Sequence, residues 1–189
     1  YQIAEQFGLP LIPRTAGLVP FTLTPAQLEQ FSACVGNSAE VQITCGEHSF
    51  TEALLFTHRG LSGPAVLQIS SYWQPGESLH INLLPQQDAQ QIFLTHRQST
   101  MMLPNLLTHY LPKRFVQAWC SVMLAQLSIT AKPMNQYRDS ELRQIADKLH
   151  NWQIVPSGTV GYRKAEVTLG GVDTHELSSK TMESKRVPG

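Results

Sequence analysis

Two short strings in this 189-residue sequence carry the side chains best suited to chemistry. The first is Phe56-Thr57-His58-Arg59-Gly60-Leu61-Ser62-Gly63-Pro64. An apolar run stops there, a polar turn follows, and Pro64 belongs in the first turn of a helix. Ser62 is expected as the N-cap of that helix. The free N–H groups of the first turn, with Thr57, His58 and Ser62 beside them, could bind an anion or polarise a carbonyl. The plainer alternative is an ordinary capped turn without a ligand. The second string is Ala165-Glu166-Val167-Thr168-Leu169-Gly170-Gly171-Val172-Asp173. A glycine pair after a strand lets the backbone come close to a planar ligand or take a positive φ. Here the plainer alternative is a hairpin turn.

Other chemistries lack their signatures. No GxGxxG and no GxxxxGK[ST] occurs, so a self-contained dinucleotide or triphosphate site is not expected. No GxSxG elbow occurs either, which removes the usual hydrolase signal. The seven histidines are scattered. None is paired at metal-ligand spacing, since His48 and His58 fall on different elements. Cys34, Cys45 and Cys120 form no CxxC, and free thiols at apolar positions point to a reducing, cytoplasmic setting.

The elements that must hold the two strings follow from periodicity. Pro10, Pro13 and Pro20 punctuate residues 9–23, and the stretch from Leu18 to Leu23 suits an edge strand. Glu40 to Cys45 alternates strictly, with Val41, Ile43 and Cys45 on one face, and Ser49 to Phe56 returns as the second arm of a hairpin. Glu77 to Leu84 alternates again, with Leu79, Ile81 and Leu83 inward. Trp152 to Val155 and Ala165 to Leu169 read as two further strands. Residues 86–150 change period. Leu142, Ile145, Ala146 and Leu149 follow helical spacing behind Asp139 or Ser140 as N-cap. Phe115, Trp119, Val122 and Met123 make a second stripe, with weaker helices at Gln87 to His96 and Leu103 to Tyr110. The expected fold is α+β, a small β-barrel from residues 9–85 and 151–189 with an all-helical subdomain, residues 86–150, inserted into it.

Composition bounds the function. Hydrophobic residues make up 42% and charged residues 15%, as in a globular chain with a real core. Fourteen basic residues balance fourteen acidic ones, so no polyanion-binding charge exists at whole-chain level and nucleic acid is not an expected partner. The mild basic excess of the helical stretch, which includes Lys113, Arg114 and Arg143, reads as a solvated surface. No signal peptide and no apolar run long enough to span a bilayer is present, so no membrane partner is expected. Tyr1 to Gly8 reads as the last turns of a helix closed by Gly8, and the sequence stops inside a loop. Both ends are therefore expected to be cuts through a longer protein.

Five strings together resemble the BaiN/YhiN-like family of bacterial NAD(P)/FAD-dependent oxidoreductases. They are Tyr1 to Gly8, Leu18 to Leu23, Leu55 to Pro64, Ala165 to Val172 and Thr181 to Gly189, in the family's order and from end to end. The resemblance implies an insertion, β-barrel plus helical unit, that caps the substrate side of an FAD-binding domain. Residues 1–8 would be the end of a helix from that domain, which would be the chief partner, in the same chain. The parent would pass hydride from NAD(P)H through FAD to a small organic substrate. Thr168, Gly170, Gly171 and Val172 would lie near the isoalloxazine ring in the parent only. Thr57, His58, Ser62 and Gly63 would face the substrate, with His58 as general acid because imidazole exchanges protons readily near neutral pH. The phosphate-binding loop falls outside this stretch, so the fragment alone is expected to be inactive and to lack FAD. A module binding nucleic acid or protein through the helical subdomain is the alternative.

Overall fold

A computed structural model describes residues 1–187. Its main sheet has seven strands: β2 (Phe21–Thr22), β3 (Ser38–Cys45), β4 (His48–Thr57), β5 (Gly60–Ser62), β6 (Leu79–Asn82), β7 (Trp152–Ile154) and β8 (Gly158–Thr159). They lie in the order β7-β6-β3-β4-β5-β2-β8. A separate antiparallel ribbon pairs β1 (Leu11–Gly17) with β9 (Val167–Val172). The late strands rejoin the early ones: β7 on β6, β8 on β2, β9 on β1.

The expected closed barrel is corrected to an open sheet. β7 and β8 are its two edges and do not pair with each other. A flat sheet would hold those edges six spacings apart, roughly 29 Å. Only Val155, Pro156 and Ser157 connect Ile154 to Gly158, a reach of about 14 Å at most. The sheet must therefore curl until its edges nearly meet. The two edges nonetheless form no ladder, and Pro156 in the connection between them has no N–H to offer. The residues between the two edges bond instead to β2 and to the helix that follows it. Gln27 Nε2, on α2 (Pro25–Gln30), donates to the Val155 carbonyl at 3.2 Å, and Ser157 N donates to the Thr22 carbonyl at 2.9 Å.

Leu18 to Leu23 is not an edge strand. β2 is paired on both sides, by β5 and β8. Pro20 is tolerated because it precedes the paired residues and contributes only its carbonyl, to Val160 N at 2.9 Å.

Alternation works as expected on β3 and β6. Val41, Ile43, Cys45, Leu79, Ile81 and Leu83 are all buried. The helices between β6 and β7 are α4 (Ala89–Thr95), α5 (Leu103–Leu107), α6 (Lys113–Gln126) and α7 (Asp139–His150). α6 buries Phe115, Trp119 and Met123, α7 buries Leu142, Ile145, Ala146 and Leu149, and Val122 stays half-buried. One continuous core runs from sheet to helices, pinned by Phe31, Phe56, Phe115 and Trp152, whose neighbouring rings lie 5.3–6.4 Å apart.

Two caps differ from expectation. α7 is capped at Arg138, not at Asp139 or Ser140, because Glu141 Oε2 accepts from Arg138 N at 2.6 Å. Asp139 instead takes the guanidinium of Arg97 at 3.1 Å. α3 (Pro64–Ser70) is capped by Gly63 and not by Ser62, which is the last residue of β5. Gly63 sits at φ 94°, where an added Cβ would stand 2.6 Å from the Ala53 carbonyl, so no side chain fits at the cap.

At the N-terminus α1 (Gln2–Gln6) is closed by Gly8, with Gly8 N and Leu9 N donating to the Glu5 and Ala4 carbonyls. No helix among the described residues is long and apolar enough to cross a membrane. Pro188 and Gly189, which end the last of the five strings, lie outside the described residues.

Candidate functional site

The Thr57–Gly60 turn links β4 to β5, and Thr57 makes it rigid. Its Oγ1 accepts from Arg59 N at 3.3 Å and Gly60 N at 3.2 Å, and donates to the Gly60 carbonyl at 3.1 Å. His58 and Arg59 stand exposed at the apex. Neither imidazole nitrogen of His58 has a hydrogen-bond partner among the described residues. Since α3 is only seven residues long and Ser62 does not cap it, the helix-terminus anion site read from the sequence does not form there.

What the turn borders is a pair of cavities. On one side, a space of about 320 Å³ is mainly apolar, with Leu23, Leu28, Phe31 and Phe56 behind Thr57 and His58. On the other, a space of about 350 Å³ brings Thr57, His58, Arg59 and Ser62 against Arg163 and Lys164. The second wall is the loop after β8, held by Val160 N on the Pro20 carbonyl and Lys164 N on the Gly161 carbonyl at 3.0 Å. No Asp or Glu lines this second cavity. Sequence reasoning missed Arg163 and Lys164. The available signal was two adjacent cations in a Gly161-Tyr162-Arg163-Lys164 turn between two strands.

The second string does not enter either cavity. The Gly161–Glu166 loop leads from the basic cavity into β9, where Glu166 N donates to the Leu18 carbonyl at 3.2 Å. Thr57, His58, Ser62 and Gly63 are thus joined to Thr168, Gly170, Gly171 and Val172 only through that loop. Along β9, Gly170 answers a bulge in β1 between Ile12 and Thr15. It sits at φ 79°, and an added Cβ would stand 2.2 Å from the Pro13 carbonyl. Its bareness is required by strand pairing. Thr168 and Gly170 are exposed and Val172 half-buried, while Gly171 is buried with the edge of the Tyr1 ring 3.1 Å from where its Cβ would be.

Fit to an isoalloxazine can be judged from these contacts. The Gly171 face is already filled by the Tyr1 ring, whereas Thr168 and Gly170 leave the other face of β9 bare, so only that face is open to a planar ring. Among the described residues phosphates find no cradle here, because past β9 the chain forms the 3₁₀ turn Thr174–Glu176 and a Leu177–Ser184 bridge but no helix N-terminus.

The thiols are unsuited to catalysis. Cys34 and Cys45 are pushed up to about 11, and Cys120 to about 12, chiefly by burial. A thiol that stays protonated is a poor nucleophile. All three are free. Among the described residues no group of three or more His, Cys, Asp or Glu could hold a metal ion.

Comparison with known proteins places this arrangement in a family. The family described as "HI0933-like protein barrel and H2TH domain" matches residues 15–167. The ribosomal RNA dihydrouridine synthase of Escherichia coli (strain K12) is 50% identical over 193 residues, covering 100% of this chain and 47% of that protein. The protein of the same name from Haemophilus influenzae (strain ATCC 51907 / DSM 11121 / KW20 / Rd) is 48% identical over 194 residues, with the same coverage. This chain therefore spans about half the length of the curated relatives it matches. With the match running from β1 to the first residue of β9, the chain belongs to the HI0933-like barrel and H2TH domain family.

Proposed function

We propose that this chain is the substrate-side part of a flavin-dependent enzyme that reduces a uracil ring of ribosomal RNA to dihydrouracil. One observation carries the reading: identity near one half, over the whole chain, to two enzymes named for that reaction. The small organic substrate implied by the family resemblance gives way to a base within an RNA chain. Such a substrate agrees with a cytoplasmic setting and with NAD(P)H as reductant of the parent.

In this reading residues 9–85 and 151–189 form the barrel-like unit, residues 86–150 the helical one, and residues 1–8 the end of a helix from the FAD-binding domain. Saturating the uracil double bond adds a hydride to one carbon and a proton to the other. A bound reduced flavin would supply the hydride. This chain's part is to present the base and the proton. His58 is the assigned donor, through whichever ring nitrogen carries the proton, since its exposed imidazole is not engaged elsewhere. Thr57 holds the turn that aims it, and the apolar cavity behind the turn offers a water-poor surface to a flat base. Ser62 and Gly63 complete the substrate side. Thr168, Gly170, Gly171 and Val172 would lie along the isoalloxazine, where small groups let the backbone approach.

The test is to incubate the full-length protein, FAD and NAD(P)H with unmodified ribosomal RNA and measure dihydrouridine by mass spectrometry of nucleoside digests. Appearance of dihydrouridine at a defined position is expected. RNA left unreduced while NAD(P)H is consumed on other acceptors would overturn the reading. His58→Ala should lower turnover about 10²-fold or more with flavin content unchanged, the ordinary weight of a general acid.

A second reading, in which the helical unit grips the RNA, is favoured by exposed Lys113, Arg114 and Arg143 on α6 and α7.

A further inference from the structure

We propose that Arg59, Arg163 and Lys164 form a site for a backbone phosphate of the RNA substrate, an inference that rests on the reading above. Three observations carry it. These cations come from two loops distant in sequence and border the same cavity of about 350 Å³ as His58. All three are exposed, and none takes part in the ion pairs among the described residues, which use Arg97, Lys132, His175 and Arg186. No carboxylate lines the cavity. Crowded like charges repel one another, so a bound anion relieves a local excess that the protein itself leaves unbalanced.

Chain neutrality makes the concentration informative. With fourteen cations and fourteen anions overall, three cations around one acid-free cavity are a local departure from the average. Both loops are held by hydrogen bonds, to the Thr57 hydroxyl on one side and from Val160 N and Lys164 N to backbone carbonyls on the other, so the charges start from fixed points. Arg59 and Arg163 offer forked donors that match a phosphate, and Lys164 adds a point charge.

The exposure of the cations decides the kind of anion. An open site cannot strip a free phosphate ion of its water, so a single small anion gains little there. A polyanion gains by releasing the counterions condensed along it, which is why RNA is the ligand inferred. Phosphate contacts position a strand without reading its sequence. Here they would hold the strand with a neighbouring base at His58. The unengaged Ser62 hydroxyl on the same wall can supply a further donor.

The experiment compares full-length wild type with the triple variant Arg59→Ala, Arg163→Ala, Lys164→Ala, using deproteinised bacterial ribosomal RNA as the probe over a salt series. Binding should weaken about tenfold or more, and the slope of log affinity against log salt should fall by about two to three. Dihydrouridine formation at low RNA should fall in step and recover at saturating RNA, with flavin content and thermal midpoint unchanged. Equal binding by the triple variant overturns the site. So does a lowered flavin content, which would place the cations against the cofactor. A loss confined to the variant Lys113→Ala, Arg114→Ala, Arg143→Ala also overturns it and favours the helical surface. Wild type that makes no dihydrouridine overturns the proposed reaction, whereas an active wild type with an equally active triple variant overturns the phosphate site alone.

Discussion

The curled sheet and the β1–β9 ribbon are built from the same kind of backbone ladder yet are stabilised differently. In the sheet, each long strand turns a row of apolar side chains into a core shared with five helices, α3 to α7. In the ribbon, the only buried residues are Gly17 and Gly171, so it contributes no buried side chain of its own. Ile12 and Val167 remain 48% and 41% exposed there, and Ile3 on α1 and Phe7 just after it are 69% and 59% exposed. A two-stranded ribbon without an apolar face is marginal by itself. The sheet unit can fold on its own burial, whereas the ribbon and α1 present the kind of surface that another domain covers. That difference matters for function, because the proposed substrate side belongs to the first region and the proposed flavin side to the second.

Removing a core aromatic is the strongest way to separate them. Phe115→Ala opens a cavity among Phe56, Trp152 and the helix, and should cost about 3–5 kcal/mol in urea unfolding. Sheet and helices should melt together. A helical unit that unfolds separately would break the picture of one continuous core. A smaller loss, about 1–3 kcal/mol, is expected for His150→Ala. His150 Nε2 accepts from Ala89 N at 3.0 Å and its Nδ1 meets Asn82 Oδ1 at 2.9 Å, which ties the end of α7 to α4 and β6. His150→Gln should recover part of the loss.

In the ribbon the expectation reverses. Gly170→Val meets the Pro13 carbonyl and a positive φ, a local strain of about 1–3 kcal/mol. If the ribbon is weakly coupled to the sheet, the global midpoint stays put while amide exchange of β1 and β9 accelerates. Flavin retention by the full-length protein should fall. A global destabilisation as large as that of Phe115→Ala would show that the ribbon is part of the core unit after all.

The sheet was the legible half. Alternation in Glu40 to Cys45 and Glu77 to Leu84, and the α7 stripe from Leu142 to Leu149, follow one dominant force, burial on a fixed period, and the structure agrees residue by residue. Caps were harder, because Ser62 and Asp139 compete with partners invisible in a local window. Gly63 wins where the Ala53 carbonyl leaves no room, and Glu141 wins by reaching back to Arg138 N. Whether the sheet closes depends on which strands end up at its edges, here β7 and β8, which no periodicity reveals. In the candidate site, Thr57 and His58 were visible because turn chemistry concentrates in one string. Arg163 and Lys164 were not, since their meaning arises only when β8 brings their loop beside the Thr57 turn.

The smallest predicted effect contrasts two ion pairs, one in each region. Lys132 and Glu141 lie 2.9 Å apart with side chains 22% and 18% exposed, beside the Tyr137 ring. The Lys132 ammonium, and then the Arg138 N–H, hold the Glu141 carboxyl below the usual carboxylate range. A lowered folded value means that the stabilisation is fully present above the unfolded value of about 4.3 and is lost as pH falls through the folded value. Glu141→Gln should therefore cost no more than about 1 kcal/mol near neutrality, and its difference from wild type should shrink on acidification below about pH 4. Lys132→Met should remove most of that pH dependence, leaving the part due to Arg138. Asp173 is also held low, first by the His175 N–H and then by its ring, but His175 is 92% exposed. Asp173→Asn should leave the unfolding midpoint unmoved at every pH tested. If Asp173→Asn changed the midpoint as much as Glu141→Gln, the C-terminal segment after β9 would be coupled to the core, and the division between the two regions would have to be redrawn.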